Sequence, residues 1–137
     1  MLTVMTACYH EAGHSVVALR FGLPLARVIV RDDGTGRTSY RHWLGAAEIE
    51  RWIVTTYAGG EAEADRFPGH PADASDRRSI DAALKALDLV WDQRRLGELR
   101  ADARTLVRAE RRSIQWVANE LLRLRTLSAD EIRRLVG

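Results

Sequence analysis

Met5-Thr6-Ala7-Cys8-Tyr9-His10-Glu11-Ala12-Gly13-His14-Ser15-Val16-Val17-Ala18-Leu19-Arg20-Phe21-Gly22 is the stretch on which the reading of this chain turns. Val4, Ala7, Cys8, Ala12, Val16, Val17, Leu19 and Phe21 make an apolar helical pattern, and Gly22-Leu23-Pro24 stops it. A helix is predicted over residues 3 to 22. His10 and His14 are one helical turn apart, so they rise on one face and can bind one metal ion through two imidazoles. Glu11 lies about 100° round the helix from His10. From there its carboxylate can reach a water on the metal without being a ligand. Zinc lowers the pKa of such a water to roughly 7, and a nearby glutamate can take the proton as hydroxide attacks a carbonyl. H-E-x-x-H on a helix thus implies a metal, a nucleophile and a base, Glu11. Two histidines and a glutamate inside an apolar helix are costly to bury unless something satisfies them, and a metal would.

Beyond this helix the composition is that of a globular protein. The 137 residues suffice for one domain, residues 1–137, with a real core. The 46% hydrophobic and 29% charged content is ordinary for such a domain. A net charge of only +2 argues against a nucleic-acid stripe. Arg77-Arg78, Arg94-Arg95, Arg111-Arg112 and Arg133-Arg134 are scattered pairs that read as solvated helix faces, so no nucleic-acid partner is expected. The single cysteine, Cys8, excludes an internal disulfide and reads as packing, which suits a reducing cytoplasm, the expected location. No apolar run approaches the roughly 18 residues of a membrane span, and no secretory signal peptide is visible.

Downstream, Ala26-Arg27-Val28-Ile29-Val30-Arg31 reads as a strand and Asp32-Asp33-Gly34 as a turn. Thr35-Gly36-Arg37-Thr38-Ser39-Tyr40 can pair back, giving a small hairpin or sheet edge near residues 26–40. Residues 45 to 66 are predicted helical, with Ala46, Ile49, Ile53, Val54, Tyr57 and Ala58 near helical spacing. Within them, Gly59-Gly60 permits close approach of another backbone or helix. Phe67-Pro68-Gly69-His70-Pro71 is a loop. A helix over about 76 to 94 presents Ile80, Ala83, Leu84, Leu87, Val90 and Trp91 as its inner stripe. Another, about 98 to 125, carries Leu99, Ala103, Leu106, Val107, Ile114, Val117, Leu121 and Leu124. Ser128-Ala129-Asp130-Glu131 is a capping box that opens a last short helix. Trp43, Trp52, Trp91 and Trp116 read as core or partly buried anchors. The expected class is mainly α (α+β), a helical domain with one small β element.

A catalytic zinc usually has three protein ligands and an open water position. His10 and His14 supply two, and Asp76, Asp81, Asp73, His70 and Glu63 are candidates for the third. From Asp76 the apolar positions fall so that the helix can pack while its first turn faces the metal.

Three segments together resemble the peptidase domain of the FtsH family, the M41 zinc metallopeptidases. Tyr9 to Ala18 looks like that family's zinc helix, including the Ala-Gly filling of H-E-x-x-H. Tyr57-Ala58-Gly59-Gly60-Glu61-Ala62-Glu63 is similar to its A-G-x-x-A-E segment, which lies near the zinc helix, so the resemblance implies that Glu63 or Glu61 accepts the outer N–H of a ligand histidine, fixing its tautomer and raising its basicity. Ala74-Ser75-Asp76 opening a helix resembles the segment that supplies the family's third ligand, an aspartate, and Gly36-Arg37-Thr38 looks like the strand bordering its substrate cleft. The order and rough spacing agree over about residues 8 to 90.

The resemblance implies a zinc-dependent endopeptidase. His10, His14 and Asp76 would hold Zn2+, Glu11 would be the catalytic base, and Gly36, Arg37 and Thr38 would bind substrate backbone by strand addition. Full-length members carry an AAA ATPase domain and usually a membrane anchor, whereas this chain contains no G-x-x-x-x-G-K-[ST]. The expectation is a stand-alone M41-like metalloprotease domain, ATP-independent in this chain. Its partners would be a peptide or unfolded protein substrate, with a partner protein or a homo-oligomer as further options. The alternative is a non-catalytic M41-like interaction or regulatory domain that keeps the fold, with or without the metal.

Overall fold

Helix α1 (Leu2–Arg20) is the element around which the others assemble. Its buried residues, among them Val4, Ala7, Cys8, Ala12, Val16, Val17 and Ala18, lie on all sides rather than along one stripe. A helix apolar all round belongs inside a protein, and α1 packs against helices and sheet alike. The chain here is a computed structural model that describes residues 2–42, 44–69 and 75–137. Expectations for Trp43, His70, Pro71, Asp73 and Ala74 fall outside the described residues.

The element order after α1 is β1 (Leu25–Val30), β2 (Gly36–Tyr40), a single 3-10 turn at Ala46–Glu48, α2 (Ile49–Arg66), α3 (Ser75–Ala86), α4 (Gln93–Ala109), α5 (Arg111–Leu124), β3 (Thr126–Ser128) and α6 (Ala129–Val136). The fold is mainly α with one small antiparallel sheet in the order β2-β1-β3. Gly22, at φ 69°, ends α1, and the Leu23 amide reaches back to the Ala18 carbonyl at 3.0 Å. That left-handed residue and backward bond are the physical form of the predicted stop. In the β1–β2 turn the Asp33 carboxylate accepts from the Thr35 amide at 3.0 Å and its hydroxyl at 2.7 Å. Register pairs Val28 with both Thr38 and Leu127, so β1 is the central strand.

Helices α1 and α2 touch along small residues. A β-carbon at Gly13 would stand 2.5 Å from the Ala58 carbonyl oxygen and 2.8 Å from the Ala62 β-carbon. The glycine between the two histidines thus brings α2 against the face of α1 that carries His10 and His14. Ile53, Val54, Ala58 and Ala62 of α2 are buried there, and the buried apolar residues join one core.

The structure departs from the sequence reading in three places. The helix predicted over 98 to 125 is two helices that break at Glu110, because α4 packs on α2 while α5 packs on α1. Glu110 takes two hydrogen bonds from Arg20 at the break, at 2.8 and 3.1 Å. The helix predicted to reach residue 94 ends at Ala86, and Asp88 turns the chain with φ 54°. Val90, assigned to the inner stripe, is 98% exposed as a result, and Leu124 and Trp116 are also exposed. The third correction is β3, which sequence reading did not see: three residues become a strand by pairing with β1. The predicted capping box is present, with Ser128 and Glu131 exchanging bonds of 3.0 and 3.1 Å.

Candidate metal centre

His10 and His14 project from α1 toward α2 and the first turn of α3. Their rings meet edge to face, with centroids 4.6 Å apart. Each imidazole is held on its Nδ1 side by α2. His10 Nδ1 lies 2.6 Å from the Glu63 carboxylate, and His14 Nδ1 lies 2.8 Å from the Thr55 carbonyl oxygen. A carbonyl only accepts, so His14 donates from Nδ1, and the Glu63 carboxylate likewise draws a proton to Nδ1 of His10. In the neutral imidazole that tautomer leaves Nε2 as a lone pair.

Both Nε2 atoms face one carboxylate. Asp76, in the first turn of α3, stands 3.2 Å from Nε2 of His10 and 3.7 Å from Nε2 of His14. Three such acceptors cannot crowd together without a positive charge among them, which protons or a metal cation can supply. Without a metal the protons do it. Burial disfavours charge on His10, but hydrogen bonds to Asp76 and Glu63 and the nearby Asp76 and Glu11 charges outweigh it and raise its pKa to about 10. Burial likewise opposes ionisation of Asp76, yet its bonds to His10 and His14 hold the carboxyl well below the usual range.

Glycine 59 makes room for this cluster. A β-carbon there would lie 2.5 Å from Cε1 and 2.6 Å from Nε2 of His14, and 2.7 Å from Nε2 of His10. The α2 backbone therefore lies directly against the two nitrogens, and only hydrogen fits between. His10, Glu11 and His14 form a group whose ligand atoms lie within 4.8 Å of one another and could hold a metal ion. Glu11 is buried beside them, on the side facing the sheet. Its Oε2 accepts a 2.6 Å bond from the Thr38 hydroxyl of β2. Gly36, two residues earlier, sits where a β-carbon would be 2.7 Å from Cγ of Glu11. Burial, and then the Glu11 charge, push the Tyr40 hydroxyl upward, so the phenol stays protonated near the carboxylate.

The other sequence candidates separate cleanly. Asp81 is exposed and pairs with Arg77 at 3.0 Å, away from the histidines. Glu61 points the other way from Glu63, to Arg100 at 3.1 Å and Arg104 at 3.3 Å, and ties α2 to α4. Arg37 is exposed and lines a cavity of about 540 Å³ with Tyr40, Ile49, Trp52, Ala83 and Leu87 among others. Sequence reading missed Thr55 and the part of Thr38 that meets Glu11. A backbone carbonyl has no sequence signal, because any residue carries one. Gly59 did have a signal, the paired glycines, but nothing in the order of residues said what would approach. Among the described residues no helix is long and apolar enough to cross a membrane.

No model of a known protein family matches the chain. It is 33% identical over 113 residues to the "ATP-dependent zinc metalloprotease FtsH 2" of Sorangium cellulosum (strain So ce56). The match takes in 82% of this chain but only 17% of that protein, so the chain spans about a sixth of the relative's length.

Proposed function

We propose that this chain is an FtsH-like zinc metallopeptidase domain that cleaves peptides or unfolded protein. The observation that carries the reading is the convergence of His10 Nε2, His14 Nε2 and the Asp76 carboxylate, with Glu11 beside them. Its likeness to a zinc metalloprotease supports the same reading. His10, His14 and Asp76 would hold the ion: two imidazole nitrogens and a carboxylate are a donor set that suits catalytic zinc. Bound there, zinc supplies a Lewis acid and a water acidic enough to attack at neutral pH.

The remaining steps belong to the side chains. Glu63 and the Thr55 carbonyl hold the imidazoles with their Nε2 atoms inward. Glu11 accepts the proton of the attacking water and returns it to the leaving amine nitrogen. Among the described residues strand β2 pairs with β1 alone, so its outer edge can receive a substrate backbone as a further strand. The cavity at the Tyr40 end of that strand offers room for a substrate side chain. None of these steps uses a nucleotide, and an unfolded substrate needs no motor to reach the site.

The test is cleavage of unfolded peptides by zinc-loaded wild type and Glu11→Gln, with zinc measured in both. The expected result is equal zinc and a loss of about 100-fold or more in kcat for the variant, the scale of a lost general base. Equal cleavage by both proteins would sink the mechanism. Zinc bound by both with hydrolysis by neither would make this a binding domain instead.

A further inference from the structure

We propose that Thr38 is a positioning residue for Glu11: its hydroxyl fixes which oxygen of the carboxylate is free to take a proton. The proposal rests on the peptidase reading for its chemical meaning, and on geometry alone for the contact. Thr38 comes from β2 and Glu11 from α1, 27 residues apart, yet the hydroxyl meets Oε2 at 2.6 Å. A carboxylate has no donor, so the hydroxyl donates. Charge-assisted bonds of this kind are roughly twice as strong as neutral ones.

Two further observations give the contact direction. Gly36 leaves space for Cγ of Glu11, since a β-carbon there would be 2.7 Å from it and 3.1 Å from Cδ. The carboxylate is thus seated over Gly36 and caught by Thr38. Among the described residues Oε1 of Glu11 makes no hydrogen bond, and no buried side-chain oxygen or nitrogen lacks a partner. Oε1 is therefore the oxygen that solvent reaches. One oxygen is held by Thr38, which leaves the other to take the proton of an attacking water. The pairing of Thr38 with Val28 in the β1–β2 register holds the hydroxyl in place. Strand β2 thereby carries both the edge that would receive substrate and the group that orients the base. This moves Thr38 from a substrate-strand role to a role acting through Glu11.

The first arm of the test needs no activity. A double-mutant cycle of Thr38→Val and Glu11→Ala is measured by thermal unfolding of the chelator-treated protein. Thr38→Val should lower the midpoint by roughly 4 °C when Glu11 is present, and far less when it is absent. No difference between the two backgrounds would overturn the contact. The second arm is kinetic, on zinc-loaded protein with an unfolded peptide. Thr38→Val should lower kcat about 10-fold with KM and zinc content unchanged, and Thr38→Ser should restore most of it. Coupling in the first arm with unchanged kcat in the second would overturn the positioning role. Coupling with no hydrolysis by wild type would instead fail the peptidase reading and leave the hold of Thr38 on Glu11 standing.

Discussion

Gly59 of α2 lies so close to His14 of α1 that a β-carbon at position 59 would stand 2.6 Å from the imidazole Nε2. Its neighbour Gly60 has nothing within 4 Å of the same hypothetical atom. The pair therefore makes an internal control. Gly59→Ala should displace the imidazoles and abolish stoichiometric zinc binding. Gly60→Ala should retain zinc and gain about 0.5–1 kcal/mol, because alanine is the better helix former. Metal content by emission spectroscopy and thermal melts check both.

Asp76 and Asp81 stand five residues apart on α3, but only Asp76 meets the histidines. Asp76→Asn should weaken zinc by more than the ~10–100-fold that loss of an outer partner costs. Asp81→Asn should leave zinc affinity unchanged, since it breaks only an exposed pair with Arg77 worth about 0.3–0.5 kcal/mol. Competition titration with a chromophoric chelator separates the two.

Glu63 holds His10 at 2.6 Å while Glu61 faces Arg100 and Arg104. Glu63→Gln should lower zinc affinity about 10–100-fold, because the neutral amide pulls less on the imidazole N–H. Glu61→Gln should leave affinity intact and register only in stability. The same titration reads both, and equal loss in the two would contradict the arrangement.

In metal-free protein the cluster should show a defined pH dependence. His10 has its pKa raised from 6.5 to about 10, so its contribution to stability is full below pH 6.5 and is lost as pH rises toward 10. Asp76 is depressed, so its contribution is present above 3.8 and is lost as pH falls through its lowered value. The midpoint difference between wild type and Asp76→Asn should therefore be greatest between pH 3.8 and 6.5, and shrink toward pH 10. With zinc added, the decline above pH 6.5 should disappear, because a cation replaces the proton between the ligands. Melting curves in chelator and in zinc provide the comparison.

His10, Glu11 and His14 were legible from sequence because their relation is local: a helix of fixed pitch puts four-apart residues on one face. The hairpin, the α2 helix and the capping box at Ser128 were legible for the same reason, each being set by periodicity or by residues within a few positions. Distance along the chain is what hid the rest. That α4 and α5 are separate helices follows from their packing on two different partners, which leaves no mark in an unbroken apolar stripe. Strand β3 exists only because β1 has a free edge for it. The choice of Glu63 over Glu61 depends on how α2 is rotated against α1, and Gly13 and Gly59 decide that by letting the two backbones meet. The two imidazoles and the carboxylate of the motif follow from the order of residues alone, because one helical turn relates them. Only the tertiary structure brought Asp76, Thr55, Glu63 and Thr38 to them, because those groups come from other elements and meet the motif only when α1 is buried.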